Sequence, residues 1–383
     1  MKIIIAPDSF KESMTALEAA TAIENGLKKV MPEATYVKMP MADGGEGTVQ
    51  SLVDATGGTI IEKTVTGPLG QPVRAFFGIL GDGKTAVIEM AAAAGLHLIE
   101  KSKRNPLVTT TFGVGELILA AIESGVKRVI LGLGGSATND GGAGMAQALG
   151  AKLLNAKGEQ IGFGGGALSE LVKIDLQSVH PRVKTTAFIA ACDVDHLLTG
   201  TNGASAIFGP QKGATPEMVS QLDQNLAHYA KVVQRDIGIS IDQVPGAGAA
   251  GGLGAGVIAF LSAILKRGIQ IVIGESNLQA EMIDADLVIT GEGKIDHQTI
   301  HGKTPVGVSK LAKTYGIPVI AIAGKLSKDS DVVLEYGIDA LFSITPGVVT
   351  LEDALQNATF YTEKIAENIA RLLILSTKKD RED

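Results

Sequence analysis

The chain opens on an unbroken apolar run, Ile3-Ile-Ile-Ala6, between Lys2 and Pro7. Such a run predicts a strand buried on both faces, as in a parallel sheet. Residues 14–29 then place Met14, Leu17, Ala20, Ile23 and Leu27 on one helical face. Asp8, Ser9 and Ser13 precede that face as capping candidates. A strand over 36–41 and a helix from 48 to about 55 repeat the rhythm. It returns late in the chain: strand 287–290, a glycine-rich loop, a helix near 305–315, strand 318–323, short strand 340–344, and mostly helix over 351–375. Repeats of this kind predict a parallel sheet covered by helices. The middle differs. Residues 59–65, 73–80 and 85–90 alternate or run β-branched between Gly-Pro-Leu-Gly and Gly-Asp-Gly turns, which predicts antiparallel strands. A helix over 110–124 feeds a strand over 128–133, and 246–265 reads as a small-residue helix.

The expected architecture is therefore α/β in two domains. Residues 1–65 and 285–383, both chain ends, form a Rossmann-like parallel-sheet domain. Residues 66–284 form a mixed α/β domain inserted between them, with the membership of 110–150 left open. A site is expected in the cleft between two such domains.

Composition narrows the chemistry. The chain has 383 residues, 34 Lys+Arg and 41 Asp+Glu, for a net charge of −7. That balance argues against a general nucleic-acid binder, which needs a basic surface. The single cysteine, Cys192, excludes an internal disulfide and an all-cysteine metal site. No apolar run of about 18 residues is free of both charge and dense glycine, so no membrane span is expected, and the N-terminus lacks the apolar stretch of a signal peptide, so the expected address is cytoplasmic. Glycine, at 48 residues, is in excess. It clusters after apolar runs, where positive φ and close backbone approach serve ligands.

Several clusters carry candidate chemistry. Gly78 to Thr85 matches a Walker pattern, yet a strand-like run follows it where a phosphate loop requires a helix. Gly246-Ala-Gly248-Ala-Ala-Gly251 and Gly132-Leu-Gly134-Gly-Ser-Ala137 match dinucleotide fingerprints, but no acidic residue stands at the distance a ribose needs. The first is open between helix packing and phosphate approach. The turn Gly134, Gly135, Ser136, Thr138, Asn139 offers amides and hydroxyls to phosphate oxygens, with Asp140 for a metal. Asp8, Ser9 and Lys11 follow the first strand, and Asp43 and Glu46 follow the second, where open α/β sheets bind ligands. Asp193 and Asp195 follow the strand 187–191, and one of the two is expected to reach the site. Gly291, Glu292, Gly293, Lys294 and Asp296 form an acid-and-lysine loop suited to phosphoryl transfer, with Lys303 beyond it. His297 and His301 lack a third ligand for zinc. Lys212, in Phe208-Gly-Pro-Gln-Lys212, adds a cation on a rigid loop.

Six blocks together carry a family resemblance: Ala6-Pro-Asp-Ser-Phe-Lys-Glu-Ser13, Ala42-Asp-Gly-Gly-Glu-Gly-Thr48, Gly132-Leu-Gly-Gly-Ser-Ala-Thr-Asn-Asp-Gly-Gly142, Phe208-Gly-Pro-Gln-Lys-Gly-Ala214, Gly248-Ala-Ala-Gly-Gly-Leu-Gly254 and Thr290-Gly-Glu-Gly-Lys-Ile-Asp296. In this order they resemble the signature blocks of bacterial type-1 (glycerate 2-kinase-like) glycerate kinases. The resemblance implies ATP- and Mg²⁺-dependent phosphorylation of D-glycerate by two α/β domains. Lys294 stands where the family often has Arg, keeping the charge without the bidentate fork. His196-Leu197 stands where the family tends to have Asn-Pro.

On this reading the glycerate hydroxyl attacks the γ-phosphate in line. Asp193 is the expected base, with Asp296 its rival, and Lys294 and Lys11 meet anionic oxygens. Ser136, Thr138, Asn139, Gly134, Gly135, Lys212, Gly291 and Gly293 are expected at ATP. Asp8, Ser9, Asp43 and Glu46 are expected at the substrate, and Asp140 and Glu292 at the metal. 2-Phosphoglycerate is the favoured product. The competing readings are a dinucleotide-dependent oxidoreductase and a non-catalytic sensor of phosphorylated acids. A homodimer is compatible with the sequence, which is otherwise silent on oligomeric state.

Overall fold

The computed structural model describes residues 1–379. The chain divides into two compact units. The first comprises Met1–Asp43, Gln50–Thr56 and the residues from Ile269 on; the second comprises Gly44–Val49 and Gly57–Gly268.

The first unit is built on a five-stranded sheet of order Ala340–Ser343, Val319–Leu326, Leu287–Ile295, Lys2–Pro7, Thr35–Lys38. All its pairings are parallel. The opening strand is interior, between Leu287–Ile295 and Thr35–Lys38, as its continuous apolar run requires, with Ile3, Ile4 and Ile5 fully buried. The helix Ala16–Lys28 starts at a capping box in which Thr15 and Glu18 satisfy each other's backbone N–H. Its Gly26 lies so near the Glu363 carbonyl of the helix Ala358–Lys379 that a Cβ would collide there. The two chain ends thus close one core around Ile3, Ile5, Ile23, Ile289 and Ile369.

One element departs from the sequence reading. Residues 291–295, expected in a glycine-rich loop after a strand ending at 290, continue the strand Leu287–Ile295. Glu292 pairs with Ala323 and Lys294 with Lys325 in register. Gly291 sits where a Cβ would collide with the Ile322 carbonyl, so glycine keeps the ladder close here instead of breaking it.

The second unit contains a six-stranded mixed sheet of order Ile264–Lys266, Ala187–Ala191, Arg128–Gly132, Thr85–Glu89, Pro72–Ile79, Thr59–Thr66. The first four strands run parallel and the last two are antiparallel. The Walker-like match falls in the turn between Pro72–Ile79 and Thr85–Glu89, where Asp82 caps the hairpin by accepting from the Lys84 and Thr85 amides. Residues 110–150 lie in this unit, and so does the strand Thr59–Thr66, drawn in by pairing with Pro72–Ile79 across eight residue pairs. The expected helix over 246–265 begins at Ala249 and is interrupted by left-handed backbone at Ala250, Gly251 and Gly252.

Candidate functional site

In the first unit the site residues gather at the C-terminal ends of adjacent strands. The Asp8 amide donates to the Gly291 carbonyl at 2.8 Å, and the Met41 amide to the Pro7 carbonyl at 2.9 Å. These two bonds bring Asp8, the chain leading to Asp43, and Glu292 to one sheet edge. The Asp8 carboxylate accepts from the Ser9 amide at 2.6 Å and from Thr304 Oγ1 at 2.6 Å. Burial, then the like charges of Asp43 and Glu292, push Asp8 up to about 7. Glu292, also buried, accepts from Thr299 Oγ1 at 2.7 Å and from Lys303 Nζ at 3.1 Å. Its desolvation raises its pKa in spite of that lysine. A group of like-charged, water-poor carboxylates is what a cation or an acidic hydroxyl would relieve.

Asp296 differs. Lys294 Nζ meets it at 2.6 Å, and it caps the following turn by accepting from the Gln298 amide at 2.9 Å. The Lys294 contact holds it below the usual carboxylate range, which makes it a weak base. Lys294 is consequently tied to a neighbouring acid. Lys11 is exposed and forms no ion pair among the described residues. Its loop is shaped by paired Phe10 and Met14 backbone bonds and by Glu12 at φ +66°. A Cβ at Gly293 would come within 3.4 Å of the Lys11 amide, so this glycine keeps the strand beside that loop. His297 pairs with Asp329 instead of joining His301 at a metal.

In the second unit, Glu89, the turn after Gly132, and Asp193 all follow the C-terminal ends of parallel strands. Asp193 is exposed and accepts from the Gly268 amide at 3.0 Å. Asp195 instead pairs with Arg267 at 2.6 Å. A Cβ on Gly44 would stand 2.9 Å from the Ala191 Cβ and 3.5 Å from Asp193 Oδ2, so glycine lets the 44–49 segment lie against that acid. Exposed Glu46 is carried on the same segment.

The glycine turn exposes Gly134 and Gly135 and buries Ser136, Thr138 and Asn139. Asn139 donates to Ser205 Oγ at 3.0 Å. Thr138 Oγ1 and Asn139 Oδ1 are buried without a hydrogen-bond partner. Gly251 O accepts from the Gly141 amide at 3.1 Å, and a Cβ on Gly251 would collide with the Thr138 carbonyl. The fingerprint-like glycines at 246–254 therefore press one backbone against another, which is the packing alternative of the sequence reading.

Two placements revise expectation. Asp140, expected at a metal, is 1% exposed, and its oxygens accept from the Thr111 amide, Thr111 Oγ1 and the Gly142 and Gly144 amides. Those bonds make it the staple of the turn, with no oxygen turned to a cation. Lys212, expected at ATP, is 1% exposed and donates to Ser136 Oγ and the Thr138 carbonyl, each at 2.7 Å. Glu89 escaped the sequence reading. It accepts from the Val49 amide at 2.9 Å, and its desolvation pushes it up to about 7. The available signal was a lone acid closing an apolar strand, Thr85-Ala-Val-Ile-Glu89.

Parallel strands ending in acids, lysines and glycine turns are the arrangement in which α/β enzymes bind their ligands. The glycerate kinase family model matches residues 3–374. The chain is 61% identical to the glycerate kinase of Bacillus subtilis (strain 168) over 98% of both chains. It is 55% identical to the glycerate 2-kinase of Escherichia coli (strain K12) over 99% of both. A crystal structure of a candidate glycerate kinase 2 from Salmonella typhimurium LT2 superposes with a TM-score of 0.92 at 52% identity, covering 99% of each chain. The chain belongs to the glycerate kinase family. The oxidoreductase and sensor readings find no support in these matches. No helix among the described residues is long and apolar enough to cross a membrane.

Proposed function

We propose that this enzyme transfers the γ-phosphoryl group of ATP to the 2-hydroxyl of D-glycerate. The observation that carries the site assignment is the Asp8, Asp43 and Glu292 carboxylate group with Lys303 at its side. Among the described residues no three His, Cys, Asp or Glu side chains form a ready-made metal cage. Mg²⁺ ordinarily takes one or two protein carboxylates and completes its shell with phosphate oxygens and water, so this donor set fits it. Glu292 and Asp43 would hold it, and the ion would offset charge on the nucleotide phosphates. Asp8, Ser9, Asp43 and Glu46 orient the small acid, and exposed Lys11 meets an anionic oxygen. The 134–139 turn receives nucleotide phosphate on its amides and hydroxyls, with Gly291 and Gly293 supplying further backbone. Asp193, which follows the strand Ala187–Ala191 and accepts from the Gly268 amide, orients the attacking hydroxyl and takes its proton. Such a reaction belongs where ATP is made available, in the cytoplasm.

The test is a coupled ADP-release assay with D-glycerate, L-glycerate and tartronate, followed by phosphorus NMR of the product. ADP release with D-glycerate and a 2-phosphoglycerate signal is the expected result. ADP release with none of the three, or a 3-phosphoglycerate signal, refutes the assignment. Asp193→Asn should cost about 10²-fold or more in kcat, the usual worth of a positioned base.

A further inference from the structure

We propose that Lys212 is a positioning residue that leaves the Ser136 hydroxyl proton free to be donated to an anionic oxygen of the nucleotide. The inference rests on the reading that the 134–139 turn receives phosphate. Lys212 ends the short turn Pro210–Lys212, and Gly213 after it, at φ +92°, lies where a Cβ would collide with the Arg104 carbonyl. The segment is thereby locked and the lysine stem runs inward. Its Nζ has two partners, Ser136 Oγ and the Thr138 carbonyl, and neither carries charge. An ammonium has three N–H groups and no lone pair. Ser136 Oγ must therefore accept from Lys212, and the serine's own proton is left to point elsewhere. The residues just before it, Gly134 and Gly135, are exposed, so the turn opens to solvent on that side. There the hydroxyl's proton is free to be donated, which suits an anionic oxygen.

The same geometry carries a condition. The charged and titratable groups around Lys212 are Asp140, whose oxygens are engaged by Thr111 and the turn amides, Tyr229, whose hydroxyl donates to the Gly141 carbonyl, and Arg104, which donates to the Gln211 carbonyl. None of them forms a hydrogen bond or ion pair with the ammonium. Burial pushes Lys212 down to about 7. Once neutral, the amine has a lone pair and takes the serine's proton as acceptor, so Ser136 is withdrawn from the ligand. Affinity for ATP should weaken as pH rises above 7, through Ser136, while kcat changes little.

The experiment is steady-state titration of ATP at saturating D-glycerate between pH 7 and 9, with the full-length enzyme, Ser136→Ala, Lys212→Met and the double variant. Loss of a hydrogen bond to a charged partner should raise KM for ATP roughly tenfold or more at pH 7 in Ser136→Ala. Lys212→Met should match it, the double variant should be no worse than either, and the rise of KM with pH should be absent from Ser136→Ala. Additive effects, or a Ser136→Ala enzyme that keeps the wild-type pH dependence, would overturn the role of Lys212 and leave the turn as a phosphate site. Unchanged KM for ATP in both single variants at every pH would overturn the phosphate reading itself. If Lys212→Met does not fold, the pH profile of Ser136→Ala, which leaves the lysine in place, decides the question.

Discussion

Replacing Asp140 by alanine separates a structural carboxylate from a metal ligand. The side chain accepts from the amides of Thr111 at 2.8 Å, Gly142 at 3.1 Å and Gly144 at 3.3 Å, and from Thr111 Oγ1 at 2.9 Å. Truncation strands three backbone N–H groups in a core where Asp140 itself is 1% exposed. Each buried donor left unpaired costs about 1–3 kcal/mol. Three of them give roughly 3–9 kcal/mol before relaxation. The expected loss is near the lower end, about 4 kcal/mol, because the shift also releases a charge whose burial was unfavourable. Asp140→Asn keeps one accepting oxygen and turns an NH₂ toward donors, so it should lose about half as much. Urea unfolding of both variants at pH 7 reads the stability, and a Mg²⁺ titration of the remaining activity reads the metal. A loss under about 1 kcal/mol in Asp140→Ala, with a much higher Mg²⁺ requirement, would refute the structural assignment.

Glu89 binds a proton up to about pH 7 when folded but releases it near 4.5 when unfolded, so stability should fall as pH rises across that window. Glu89→Gln should show a shallower slope than wild type when unfolding midpoints are compared at pH 5 and 7.5, the remainder coming from Asp8, which is raised over the same range. Gly251→Ala forces a side chain onto the Thr138 carbonyl at φ +69° and should cost at least about 1–2 kcal/mol from backbone strain alone, with a raised KM for ATP; an unchanged melting temperature would contradict the close packing. Lys84→Ala should leave kcat/KM within about twofold of wild type, since Lys84 is an exposed hairpin residue. Abolished activity in a folded Lys84 variant would restore the Walker reading.

Strands buried on both faces announce themselves in one dimension. Ile3 to Pro7 was legible because nothing but apolar residues suits a position covered twice. The Walker decoy was also legible, because Asp82-Gly83 and the β-branched run after it contradict a helix. The continuation of Leu287–Ile295 through Gly291 and Lys294 was not. Glycines and charges read as loop, and only the ladder to Val319–Leu326 makes them strand. The Lys212–Ser136 bond joins residues 76 positions apart, and the two turns carry no shared periodicity that would announce it. Asp140 was noticed for its type, but its task depends on amides that surround it only after folding. Residue chemistry located the turns, while burial decided which acids and lysines support the site and which face it.

The opening strand of the first unit is partnered by Leu287–Ile295, which the ribosome makes some 284 residues later (Ile3 pairs with Leu287). At ordinary bacterial elongation rates that interval is on the order of 15–60 s. Five of the six strands of the mixed sheet, through Ala187–Ala191, precede Leu287 by 96 residues or more, and Ile264–Lys266 completes that sheet 21 residues ahead of it. The nascent Ile3-Ile-Ile stretch, by contrast, has only Thr35–Lys38 as an early strand partner and waits for the neighbour on its other edge. Biogenesis of this enzyme thus runs from the middle outward, and a stalled or truncated message would yield a finished insert carrying an orphaned, aggregation-prone leader.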